Sequence, residues 1–260
     1  MSRDEQQKAF TRLLEIMETL RKECPWDKKQ TNESLRSNTI EETYELCDAL
    51  IKNDQEEICK ELGDVLLHIG FYAKIGSENN EFDIKDVCDK LCDKLIFRHP
   101  HIFGDKKVDS IDDVLTNWEE LKLKEKGGNK RVLSGVPDAL PALIKAYRIQ
   151  DKARNIGFEW EEKEQVWDKV KEEFSELQEE IRTMHKDEME QEFGDLFFSI
   201  INAARKYDIN PENALERTNQ KFIRRFNYLE DYTLKEGIQL KNMTLEEMDK
   251  IWDEAKEKGL

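Results

Sequence analysis

The sequence predicts an all-α protein assembled as a tandem pair of four-helix modules. Three observations carry that expectation. An acidic pattern occurs twice: Glu41-Glu42-x-x-Glu45, a gap of 15 residues and Glu61-x-Gly63-Asp64, then Glu172-Glu173-x-x-Glu176, the same gap and Glu192-x-Gly194-Asp195. Apolar residues beside both copies recur at steps of three and four, the period of a helix and not of a strand. Only 5 Pro and 11 Gly appear in 260 residues, while Glu, Lys, Leu and Ile abound, and alternating β-branched runs are few. Little or no sheet is expected.

Taken in order, the first copy offers the stripes Ile40, Tyr44, Cys47, Ile51 and Leu62, Val65, Ile69, Tyr72, through which two helices are expected to pack. Asn53-Asp54 reads as the break and cap between them, and Asp83 as the cap of the next helix, which carries Lys94-x-x-x-Arg98. Trp118-x-x-x-Lys122 closes the copy. Helix breakers then concentrate in Lys126-Gly127-Gly128-Asn129-Lys130, Gly135, Pro137 and Pro141, which sets the expected modules at 1–127 and 128–260. In the second copy Phe174, Leu177 and Ile181 match the first stripe, and Phe193, Leu196, Ile200 and Ala203/Ala204 the second. Asn210-Pro211 has the form of an N-cap followed by proline at the first helical position. It opens the helix with Lys221-x-x-x-Arg225, and Trp252-x-x-x-Lys256 ends the copy.

Charge and length narrow the function. A net charge of −16 argues against nucleic acid as partner, since binding it needs basic surface. No run of 18 apolar residues exists, so no membrane partner is expected. Met1–Glu5 lacks the apolar stretch of a signal peptide. The five cysteines, Cys24, Cys47, Cys59, Cys88 and Cys92, form no C-x-x-C and are odd in number. Reduced thiols in a cytoplasmic protein are the expectation, with a cysteine metal site as the alternative. Short bundles leave apolar surface uncovered, so a homodimer is expected.

On a helix, residues three apart share a face. Glu42 and Glu45 therefore point together, as do Glu61 and Asp64, Glu173 and Glu176, and Glu192 and Asp195. Two such helices packed antiparallel bring four carboxylates into a small volume, where a divalent cation relieves their repulsion. Mg²⁺ takes oxygen ligands and combines carboxylates with water and phosphate. Gly63 and Gly194 each cost about 1 kcal/mol of helix propensity, which close helix approach would explain. Lys94 and Arg98, and Lys221 and Arg225, are placed to hold phosphate oxygens. Trp118 or Trp252 would stack on a base, with Lys122 or Lys256 one turn later. A single E-x-x-E is ordinarily a solvated face, a single Trp ordinarily core, and a single Lys-x-x-x-Arg a surface pair; the repetition is what weighs against that here. No Glu stands three residues before His68, His99, His101 or His185, so a di-iron carboxylate bundle is not supported.

The E-E-x-x-E…E-x-x-D pattern resembles that of the all-α nucleoside triphosphate pyrophosphohydrolases, the MazG family in its two-copy bacterial form. The resemblance extends to Cys24-Pro25-Trp26-Asp27, Arg98-His99-Pro100-His101, Leu140-Pro141-Ala142-Leu143, Asn155-x-Gly157-Phe158-x-Trp160 and Asn219-x-Lys221-Phe222-x-x-Arg225. It implies hydrolysis between the α and β phosphates, Mg²⁺ dependence, broad nucleotide tolerance, a housekeeping role in removing aberrant or surplus nucleotides, and a dimer. Some two-copy members rely mainly on the second copy; here the first keeps its acids, and whether it turns over is left open by the resemblance. By position, Glu173, Glu176, Glu192 and Asp195 would ligate metal, and Lys169, Lys221, Arg225, Trp252 and Lys256 would contact the nucleotide. Glu172, beside the ligands but off their face, is the candidate to orient or deprotonate the attacking water, and Glu41 matches it in the first copy. The copies differ where Asn38 stands for Lys169, and Lys60 for Gln191. A non-enzymatic acidic scaffold and a narrow dUTPase-like hydrolase are the competing readings.

Overall fold

The structure, a computed structural model, describes residues 2–108, Ser110, Val114, Leu121 and 131–260. Among them there is no strand. The chain divides into two compact units, Met1–Ile111 and Asp112–Leu260. The boundary expected near residue 128 falls outside the described residues, as do Trp118 and Lys122.

The first unit holds α1 (Arg3–Glu23), α2 (Asn32–Lys52), α3 (Gln55–Glu78), α4 (Ile84–Arg98) and the single turn α5 (Pro100–Phe103). Their ends are where the sequence signals them. Asn53 stops α2 in the left-handed conformation at φ 55°, and Asp54 starts α3 by accepting from the backbone N–H groups of Glu56 and Glu57. Asp83 and Asp86 form a capping box on α4. His99, in the His-Pro-His string, ends α4 and precedes Pro100 at the first position of α5. The core is Met17 from α1, Leu35 from α2, and Phe71 and Ile75 from α3, with Leu13, Leu67 and Tyr72 packed on it. Arg21 ties the far end of α1 to that of α3 through Glu78, with Nη2 2.9 Å from the carboxylate.

The second unit holds α6 (Ala142–Arg154), α7 (Lys163–Thr183), α8 (Lys186–Lys206), α9 (Pro211–Glu236) and α10 (Leu245–Glu257). Asn210 caps α9 through the Asn213 N–H with Pro211 at its first position, as expected. α7 and α8 form one hairpin, α9 and α10 another, and α6 lies against α8. Val166, Leu177, Ile201, Ala203, Leu229, Ile251 and Ala255 are buried.

The expected packing stripes need correction. Ile40, Tyr44, Ile51, Leu62 and Ile69 are exposed, as are Cys47 and, in the second copy, Phe174, Ile181, Phe193 and Ile200. The face of α2 turned inward is instead Leu35, Thr39, Glu42, Leu46 and Ala49. Both rows have the helical period. Period alone does not say which row meets the chain's own core.

Candidate functional site

The acidic residues meet because of the turn between their helices. Glu45 lies eight residues before Asn53, and Glu61 seven after Asp54. At 1.5 Å of rise per residue both stand roughly 11–12 Å from the turn. The second copy repeats this with Met184 in the left-handed conformation at φ 58° and His185 as the next N-cap. Glu176 is eight residues before Met184, and Glu192 seven after His185. The 15-residue gap that both copies share is thus the length that levels the acids across a two-residue hairpin turn.

Two carboxylate triads result. Glu42, Glu45 and Glu61 each offer an oxygen within 4.8 Å of the others, and so do Glu173, Glu176 and Glu192. Asp64 and Asp195 stand outside these groups. They still act on them by charge. Glu42 is raised above the usual carboxylate range by desolvation first, then by Asp64, Glu45, Glu61 and Glu41. Glu192 is raised by desolvation and then by Asp195 and Glu173. Glu176 is raised by desolvation and then by Glu173 and Glu172. Glu61 Oε2 and Glu192 Oε2 are buried without any hydrogen-bond partner. Crowded carboxylates that resist ionisation and carry orphaned buried oxygens suit a hard cation that takes oxygen ligands.

Each triad is partly neutralised by one lysine, from different helices. In the first copy Lys60 on α3 reaches Glu61 at 2.7 Å and Glu57 at 3.2 Å. In the second, Lys169 on α7 reaches Glu173 at 2.7 Å and Glu172 at 2.9 Å. Lys169 is held well above the usual lysine range by its bonds to Glu173 and then Glu172. Glu172 is thereby fixed beside the triad, while its counterpart Glu41 lines an acidic cleft of about 570 Å³ with Glu45, Asp48 and Glu61.

Apart from Lys169, the basic and aromatic candidates of the second copy are engaged away from its triad. Arg225 Nε donates to the carbonyl of Leu260 at 2.7 Å, and its guanidinium lies 5.9 Å from the Trp252 ring centroid. Trp252 also packs on Phe222, with centroids 5.0 Å apart. Lys256 pairs with Asp253 at 2.7 Å. Lys221 and Lys94 are exposed and Arg98 is half-buried at the end of α4. Among the described residues, no hydrogen bond or ion pair joins Lys221, Arg225, Trp252 or Lys256 to a carboxylate of the second triad. Close approach of helices does not explain the two glycines either: a Cβ added at Gly63 or Gly194 would meet nothing within 4 Å. Their open side faces away from the chain's own packing.

The family model for the MazG nucleotide pyrophosphohydrolase domain matches residues 30–103 and again 161–229, each span enclosing one triad. The chain belongs to the MazG family. It is 43% identical over 250 residues to the nucleoside triphosphate pyrophosphohydrolase/pyrophosphatase MazG of Thermotoga maritima, covering 95% of both chains. It is 39% identical over 252 residues to the nucleoside triphosphate pyrophosphohydrolase of Escherichia coli K12, covering 94% of this chain and 96% of that protein. It is also 46% identical over 236 residues to uncharacterized protein YabN of Bacillus subtilis, covering 90% of this chain and 48% of that one.

Within the MazG framework, sequence reasoning missed the residues that support the first triad from behind. Under Glu42, Thr39 Oγ1 lies 2.9 Å from His68 Nδ1 and 2.6 Å from Tyr72 OH, and it donates to the Leu35 carbonyl at 2.9 Å. That single hydroxyl proton being spent, Tyr72 O–H and His68 Nδ1–H donate to Thr39. Burial lowers the His68 pKa, with Asp64 opposing. The corresponding positions 131 residues on (39 to 170, 68 to 199, 72 to 203) are Val170, Ser199 and Ala203, so the second copy lacks this network. The repeat offset would have exposed the contrast.

Proposed function

We propose that the chain hydrolyses nucleoside triphosphates to monophosphate and pyrophosphate with Mg²⁺, and that turnover takes place at the second triad. The observation that carries the reading is Glu173, Glu176 and Glu192 gathered within 4.8 Å with Lys169 on their edge, inside a chain of the MazG family. The donor set is all carboxylate, with one buried oxygen left unpartnered, and it fits Mg²⁺. Glu173, Glu176 and Glu192 would hold the ion, with Asp195 one turn on. Bound there, it would supply Lewis acidity and charge neutralisation at the phosphates. The chain's own groups do the rest. Lys169 holds Glu172 in place, and Glu172 orients the water and takes its proton as it attacks the α-phosphorus in line with the departing pyrophosphate. Lysine and arginine donors stabilise charge on the leaving group. Lys221, Arg225 and Lys256 suit that task by chemistry. Since no hydrogen bond or ion pair among the described residues joins them to the triad of their own chain, we assign them to the site through a homodimer. The exposed rows Ile40, Tyr44, Cys47, Ile51 and Phe174, Ile181, Phe193, Ile200 would supply its apolar contact. The open side of Gly194 leaves room for phosphate beside Asp195.

The first triad would hold a cation on the same chemistry, but it has Asn38 in place of Lys169. No helix among the described residues is long and apolar enough to cross a membrane. All five cysteines are unpaired, which fits a cytoplasmic location. The test is phosphorus NMR of the protein with Mg²⁺ and a mixture of nucleoside triphosphates. Monophosphate and pyrophosphate should rise together across several bases. Orthophosphate with diphosphate would place cleavage at the wrong bond. A single nucleotide consumed would indicate a narrow hydrolase, and none consumed a scaffold.

A further inference from the structure

Each triad draws its carboxylates from two helices, so the register between those helices decides whether the oxygens converge. In the first copy Glu42 and Glu45 come from α2 and Glu61 from α3. Along α3, Glu61, Asp64, His68 and Tyr72 follow at steps of three, four and four. Along α2, Glu45, Glu42 and Thr39 run back at steps of three. Both series keep to one helix face. The seam between the antiparallel helices therefore has rungs: Glu45 with Glu61, Glu42 with Asp64, then Thr39 with His68 and Tyr72.

The third rung is held by hydrogen bonds. Thr39 Oγ1 accepts from Tyr72 OH at 2.6 Å and from His68 Nδ1 at 2.9 Å, and donates to the Leu35 carbonyl at 2.9 Å. A threonine hydroxyl has one proton and two lone pairs, and here all three are used. His68 is 6% exposed. Hydrogen bonds weaken steeply with misalignment, so α2 cannot slide or turn against α3 without leaving buried donors unmet. The rung stands about 4.5 Å beyond Glu42 and about 6 Å beyond Asp64 along the helix axes. The Asn53-Asp54 turn stops the same helices on the other side of the acids. The first triad is thus clamped from both ends.

The second hairpin has the turn and lacks the rung. Val170, Ser199 and Ala203 occupy the three positions. Ser199 Oγ donates to the Leu196 carbonyl of its own helix at 2.9 Å. The bond from Trp167 Nε1 to Tyr207 OH, 3.1 Å, lies farther out, where both rings are exposed. Among the described residues, no side-chain hydrogen bond ties α7 to α8 at the level of Val170. Apolar contact holds the helices together there, and it is non-directional.

We propose that Thr39, His68 and Tyr72 are positioning residues for the first triad, and that through them the first copy binds a divalent cation more tightly than the second when no nucleotide is present. A site assembled before its ligand arrives binds it more tightly, because less ordering remains to be done. The second triad, without the rung, depends more on the phosphates of the substrate to complete the set around its ion. The two copies then divide the work: one keeps a resident ion and the other takes its ion with each substrate. The inference rests on the cation reading of the triads given above and not on turnover.

The test needs no nucleotide. The full chain is titrated with Mn²⁺, and the free ion is read by electron paramagnetic resonance. Two classes of site are expected, with Kd values at least about tenfold apart. Glu45→Gln should remove the tighter class and Glu176→Gln the weaker. Thr39→Val keeps the shape of the side chain and deletes the hydroxyl; it should weaken the tighter class at least about tenfold. Tyr72→Phe deletes one bond of the rung and should weaken it at least about threefold, which keeps the test open if Thr39→Val fails to fold. Thr39→Ser keeps the hydroxyl and should bind within about twofold of wild type. Packing alone would give the opposite order, with Thr39→Val neutral and Thr39→Ser weakened. That order would overturn the proposal. So would two classes of equal affinity, a tighter class lost in Glu176→Gln instead, or binding unchanged in both Thr39→Val and Tyr72→Phe. Mn²⁺ bound at neither triad would overturn it together with the cation reading. Binding as expected, with no pyrophosphate released from any triphosphate, would overturn the hydrolase reading alone.

Discussion

Behind the first acidic hairpin the chain is filled, and behind the second it is open. Met17, Leu35, Phe71 and Ile75 close into a core under Glu42 and Glu61, with Thr39, His68 and Tyr72 hydrogen-bonded into it. At matching positions the second copy has Val170, Ser199, Ala203 and Asn202, and a cavity reaches the end of α8. The triads themselves are alike. The cation on them is not: Lys60 contacts its triad from the second helix of the hairpin, and Lys169 from the first. The contrast teaches that the ligand set is tied to hairpin arithmetic, whereas the ground behind it is free to diverge. One copy has filled this ground and the other has left it open.

The sharpest way to break the comparison is to remove each lysine. Lys169→Met should lower kcat/KM by about a hundredfold, the scale of one preorganised electrostatic group. Lys60→Met should change it by less than about threefold. Equal losses, read as pyrophosphate release, would mean that both copies turn over.

Core truncation comes next. Leu35→Ala removes a side chain 1% exposed and should destabilise the first unit by about 2–5 kcal/mol. Calorimetry should show an early transition for that unit while Mg²⁺-dependent turnover persists below it. Loss of turnover along with that transition would show that the second copy depends on the first.

Asn202→Phe installs at the second copy what the first has at Phe71. The cavity should close, with Tm unchanged or higher, since an apolar void costs stability, and with turnover kept. A lowered Tm would mean that the space behind α8 cannot take a ring.

The smallest effect is at the Arg21–Glu78 bridge. Glu78 is held below the usual carboxylate range, first by its hydrogen bond from Arg21. A depressed folded pKa stabilises the protein above the unfolded value of 4.5, and the gain is lost as pH falls through the folded value. Glu78→Gln should therefore cost at most about 1 kcal/mol at pH 7, as partly exposed pairs do. The difference from wild type should vanish in acid, as measured by urea melts across pH.

Much of this was legible in the sequence. The repeat located both triads, and Asn53-Asp54, Asp83 and Asn210-Pro211 marked real helix ends, because cap chemistry is local. The apolar rows were misassigned because Ile40, Tyr44 and Ile51 share the period of the row that is truly inward. The role expected of Gly63 and Gly194 failed because a small residue signals space without saying what fills it. Gln150 and Arg205 were not singled out, since what marks them is burial with some atoms left unpaired, which no local pattern reports.

The central claim is that the second triad, not the first, carries the chemistry. It is tested most directly by measuring pyrophosphate release from GTP with Mg²⁺ for Glu176→Gln and Glu45→Gln side by side, each confirmed folded by its melting curve. The account predicts loss of at least about a hundredfold in the first and less than about threefold in the second. Equal losses, or a larger loss in Glu45→Gln, would contradict it.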